Sequence, residues 1–107
     1  MILPIDYIFD DDAGRIEGLQ GKTLDDDSCA LFVYDARCQH SFWMRGVPTD
    51  LYLSAIVDGI CVESHFMAAN TTEPHKVSSA SCLIVESRRE ISVGSKVSIH
   101  GDVLLVG

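Results

Sequence analysis

The sequence predicts a mainly β protein: one small antiparallel β-barrel or sandwich of six to seven short strands, with at most one short helix near residues 15–20. Three observations carry that expectation. Short apolar runs rich in β-branched and aromatic residues recur along the chain, turn-forming residues separate them, and no stretch sustains a helical period for long. The 107 residues suit a single domain over 1–107, since chains of this size build one core.

The chain opens with acidic turns. Asp10-Asp11-Asp12 and Asp25-Asp26-Asp27 bracket a stretch containing Gly14, Gly18 and Gly21. A calcium loop of the EF-hand type needs alternating oxygen ligands, a glycine at its sixth position and a glutamate at its twelfth, and neither triplet fits that frame. Both are expected as solvated turns. Between them Arg15-Ile16-Glu17-Gly18-Leu19-Gln20 can form one helical turn, and glycine, at about 1 kcal/mol inside a helix, discourages more.

From Ser28 onward the signal is β. Cys29 to Tyr34 is a short apolar run closed by Asp35, suited to a strand buried on both faces. Ser41-Phe42-Trp43-Met44 reads as another strand, with Trp43 its core anchor, ended by Gly46 and Pro48. Asp58-Gly59 is the dipeptide favoured in a type I′ hairpin turn. A two-residue loop pairs Val57 with Ile60, Ala55 with Val62 and Leu53 with Ser64. The core face then carries Leu51, Leu53, Ala55, Val57, Ile60, Val62 and Phe66. The opposite face sets Asp50, Tyr52, Ser54 and Ile56 across from Met67, His65, Glu63 and Cys61. Residues 68–81 have turn composition and are expected as a long surface loop. Cys82 to Glu86, Lys96 to His100 and Val103 to Val106 complete the strands.

Formal net charge is −8, and residues 1–58 carry eleven acids against four bases. Such a field repels phosphate backbones, so nucleic acid is not an expected partner. No apolar run reaches the roughly 18 residues of a membrane helix, and the opening segment Met1 to Asp6 lacks the basic and apolar regions of a secretion signal. Neither a membrane nor export is expected; the compartment implied is the cytoplasm, or a particle assembled there. Cys29, Cys38, Cys61 and Cys82 form no Cys-x-x-Cys pair and are read as small buried hydrophobes. The histidines lack metal-ligand spacing, so no metal is expected.

The chain also lacks the local signatures of phosphate loops, dinucleotide folds, zinc proteases and serine hydrolases. The candidate binding residues are Trp43, Asp50, Tyr52, Glu63 and His65. On the expected register Ser54 faces Glu63 rather than His65. A nucleophile–base contact would therefore be diagonal, about 7–8 Å at the backbone. No catalytic residue and no cofactor is predicted.

Gly18-Leu19, Leu31-Phe32-Val33-Tyr34, Phe42-Trp43-Met44-Arg45, Pro48-Thr49-Asp50, Val85-Glu86 and Val93-Gly94-Ser95-Lys96-Val97 resemble the bacterial and archaeal family catalogued as domain of unknown function 192. The resemblance covers residues 15–99 and is most specific at Phe42-Trp43-Met44. Gln20 stands where that family has methionine, Gly46-Val47 where it has Asn-Thr, and the stretch from Glu86 to Gly94 is too short for a helix the family carries there. The resemblance implies a compact, mostly β domain with a shared surface around Trp43 and Asp50, but no reaction. Two functional expectations follow. The first is a non-enzymatic structural or protein-interaction domain, with protein partners or copies of itself, such as an accessory component of a virus particle. The alternative is a small-ligand-binding or hydrolytic domain using a cleft near Trp43, Asp50 and His65.

Overall fold

The computed structural model covers residues 1–107 and contains β1 (Ile2–Phe9), α1 (Asp12–Glu17), β2 (Cys29–Phe42), β3 (Leu51–Val57), β4 (Ile60–Met67), β5 (His75–Ser87), β6 (Val97–His100) and β7 (Val103–Val106). The strands form one sheet in the order β4-β3-β5-β2-β1-β7-β6. Its two ends meet. Cys61 N donates to Ser95 O at 2.9 Å, Gly94 N to Cys61 O at 2.7 Å, and Val97 N to Gly59 O at 2.8 Å. The start of β4 is thereby tied to β6 and the residues just before it, which covers much of an otherwise open sheet edge.

Alternation along the strands sends neighbouring residues into two cores. Ala30 and Phe32 of β2 join Leu24, Met44, Leu51, Leu53, Met67 and Ile84 in one. Cys29 and Leu31 join Leu3, Ile56, Val85, Ile91 and Leu104 in the other. The expectation of a strand buried on both faces is met over Cys29–Phe32. Burying a side chain such as Phe32 stabilises the fold by about 1.5–3 kcal/mol.

The mainly β class and the seven strands agree with expectation, while several details do not. The sheet is not wholly antiparallel: β1 runs parallel to β2, from Ile5 beside Cys29 to Phe9 beside Phe32. No element is assigned to residues 2–9 from the sequence. Pro4 is tolerated because it pairs only with Val103 of β7, before the β2 ladder begins. The run ending at Tyr34 and the run at Ser41 are one strand of 14 residues, continued through irregular pairing between Val33 and Cys38. Residues 75–81 are not loop. They are the polar half of the 13-residue β5, paired with β2 through Val77–His40 and His75–Phe42.

The hairpin turn forms as expected, with Asp58 at φ 51° and Gly59 at φ 74°. Past it the register slips. Ile56 pairs with Cys61, but Ala55 pairs with Glu63, so Val62 is an extra residue in β4. A single inserted residue exchanges the faces of everything beyond it. Met67 is therefore buried and Phe66 is 54% exposed, the reverse of expectation; Val62 is also exposed. Trp43 is not a core anchor either: it is 45% exposed, and its neighbour Met44 is the buried side chain. Cys29 and Cys61 are buried as expected, whereas Cys38 is exposed and Cys82 half-buried; all four thiols are free.

Candidate functional site

A cavity of about 530 Å³ lies between α1 and the sheet. Asp11 starts the helix that walls it. Its carboxylate accepts from Gly14 N at 2.6 Å, supplying the side-chain cap that exposed helix-start amides need. Gly18 ends the helix at φ 52°, where an added Cβ would stand 3.2 Å from the Phe32 ring. Only glycine suits that position, because the backbone is left-handed and the ring is close. Arg15 then fastens α1 to β2, donating to Val33 O at 2.7 Å and to Asp12 Oδ1 at 2.9 Å. Its guanidinium also lies 5.1 Å from the centre of the Tyr34 ring.

Opposite α1, the wall is aromatic: Phe32, Tyr34 and Phe42 from β2, then Trp43 at the rim. Phe32 meets Phe42 edge-on at 5.1 Å, and the His40 ring stacks on Tyr34 at 3.8 Å. The Arg45 guanidinium lies 4.3 Å from the Trp43 ring centre. Burial pushes the Tyr34 hydroxyl up to about 12, with Arg15 opposing.

Glu86 of β5 also lines the cavity. It pairs across the sheet with Ala30 and Leu53, so its side chain shares their apolar face. The residue is 4% exposed, and no protein group donates a hydrogen bond to its carboxyl. Burial raises its pKa to about 8. At neutral pH the group is mostly an uncharged acid, able to donate one hydrogen bond and accept others.

The five residues singled out from sequence do not share a cleft. Trp43 lines the cavity. Asp50 accepts from Ala69 N at 2.8 Å and fixes a turn. Tyr52 packs edge-on against Phe66 at 5.4 Å, on the opposite face from Leu53. Only Glu63 and His65 are brought together, as a hydrogen-bonded pair. The Glu63 carboxylate also accepts from Ser78 N at 3.0 Å and Ser79 N at 2.8 Å, tying β4 to the outer half of β5. Burial opposes its ionisation, but the bonds from His65, Ser78 and Ser79 prevail and lower its pKa to about 2.

Trp43 apart, sequence reasoning missed the cavity's lining, Arg15, Tyr34, Phe42 and Glu86 among it. One signal was available for Glu86: it is the acid in an apolar strand, Cys82 to Glu86, whose alternation places it on the inward face of Ile84.

No family model matches the sequence, and no curated protein does. Two solved structures share the fold. A protein of unknown function from Novosphingobium aromaticivorans DSM 12444 superposes with TM-score 0.78 at 19% identity, over 86% of this chain and 72% of that one. A protein from Sinorhizobium meliloti 1021, provisionally described as a transcription regulator, gives TM-score 0.74 at 18% identity, over 79% and 67%. No helix here is long and apolar enough to cross a membrane.

Proposed function

We propose that this protein binds a small organic molecule in the cavity between α1 and β2. The observation that carries this reading is Glu86, a carboxyl buried without a protein partner and facing an aromatic-walled cavity. An unpaired buried acid costs stability, and such groups concentrate at sites where a ligand or a reaction uses them. The cavity volume lies within the usual range for small-molecule sites. Trp43, the single tryptophan of the chain, reports on occupancy. The test is native mass spectrometry of the untagged protein from its source, with Trp43 emission followed during a fragment screen. A bound molecule lost from Glu86→Leu and Trp43→Ala supports the reading. A cavity that takes up nothing from either source would sink it.

A second reading, the protein-interaction domain, is favoured by the apolar rim of the same cavity: Ile16 is 78% exposed beside Trp43. A partner side chain inserted there, from another copy or from an assembly such as a virus particle, would give a complex by light scattering that Ile16→Asp dissolves. Membership of the family catalogued as domain of unknown function 192 is proposed alongside, supported by the Phe42-Trp43-Met44 segment, whose first two residues line the cavity. A cytoplasmic location, or a particle assembled there, is supported by four free thiols.

A further inference from the structure

We infer that the ligand is a small organic ammonium ion with an apolar body, paired with Glu86 and packed against the aromatic wall; this rests on reading the cavity as a ligand site. The geometry leaves Glu86 as the one charge-bearing group there without a counterpart. Arg15 is engaged by Asp12 and Val33 O, and Glu17 by Lys22 at 3.0 Å. Tyr34 is the other titratable group on the cavity wall. Ala30 and Leu53, the cross-strand neighbours of Glu86, bring no charge. Burial is what raises the pKa of the carboxyl; Arg15, the cation on the same wall, is spent on Asp12, Val33 O and the Tyr34 ring.

The surroundings favour that charge as well. The aromatic residues at this site already attract cations, as Arg15 over Tyr34 and Arg45 over Trp43 show. The chain carries a formal −8, and Asp10-Asp11-Asp12 leads directly into the helix that walls the cavity, so the field gathers cations and repels carboxylates. An anionic ligand would oppose both that field and Glu86. A neutral one would gain nothing from the charge that Glu86 can carry. Binding is an exchange: the protonated acid and the incoming ammonium ion give a carboxylate–ammonium pair and one proton released to solvent.

Titration of the intact protein with benzylammonium, benzyl alcohol and benzoate tests this, by calorimetry and Trp43 emission at pH 6.5 and 8.5. Benzylammonium is expected to bind tightest, its affinity rising roughly tenfold or more between the two pH values, with proton release in buffers of different ionisation enthalpy. Glu86→Gln, which keeps the shape of the neutral acid, should weaken binding about tenfold and flatten the pH dependence. The wild-type pH comparison needs no variant. Benzyl alcohol binding as tightly as benzylammonium without pH dependence, or benzoate binding tightest, would overturn the assignment of charge and leave the cavity reading intact. No response to any of the three overturns both.

Discussion

Glu63 and Glu86 are carboxylic acids on neighbouring parts of one sheet, and their surroundings push them in opposite directions. Glu63 is held below the usual carboxylate range, to about 2, because three donors outweigh burial. A lowered folded-state pKa gives stability that is present above the unfolded value of about 4.3 and lost as pH falls toward the folded one. Glu63→Gln should therefore cost about 1–3 kcal/mol at pH 7, and the gap between the two melting curves should close between pH 4.3 and 2. Glu86 has the reverse sign. Its pKa is raised to about 8 by burial, so its contribution is most favourable below the unfolded pKa and declines as pH rises through 8. Glu86→Gln should melt higher than wild type at pH 7, by about 1–3 kcal/mol, and the two should converge near pH 4. Denaturant melts across that range check both. Glu63 was legible in the sequence as part of a polar cluster, though its donors were not: Ser78 and Ser79 lie in a stretch whose composition reads as loop. For Glu86 the one local mark is the alternation that puts it on the face of Ile84. Its burial became visible only once Ala30 and Leu53 were placed on either side of it.

At the scale of elements, the turn was written in two residues and the bulge in none. Asp58-Gly59 adopts positive φ at both positions, so Gly59→Val should destabilise the hairpin by about 1–3 kcal/mol, read as a lower melting temperature. An unchanged melting temperature would contradict the observed turn. The extra residue at Val62 has no such mark, because a valine in a bulge looks like any other strand valine. Its effect is nonetheless large, since it exchanges Phe66 for Met67 at the core. The helix was legible to within a few residues, and its start moved to the Asp11 cap. Asp11→Ala should remove about 1 kcal/mol from that cap. Because α1 contains no buried residue, the loss should appear as faster amide exchange in residues 12–17 rather than as a large fall in melting temperature.

For the whole molecule, the β class was legible from composition, turn residues and alternation, whereas the strand order was not. Residues that meet as β1 with β2, or as β1 with β7, lie far apart in sequence and leave no local trace of their pairing. Such distant contacts also imply slow folding for a chain of this size, which stopped-flow refolding would measure. The two carboxylates together set an expected pH profile, with thermal stability greatest near pH 5 and declining toward pH 8. The strand order has a mechanical consequence. The amine of Met1 donates to Val106 O at 2.7 Å, and β1 and β7 run antiparallel from that corner through three residue pairs. A force applied to the two ends loads those pairs one after another rather than all at once. Held by its ends in a single-molecule experiment, the protein should unzip from this corner at low force, however firmly its two cores resist heat.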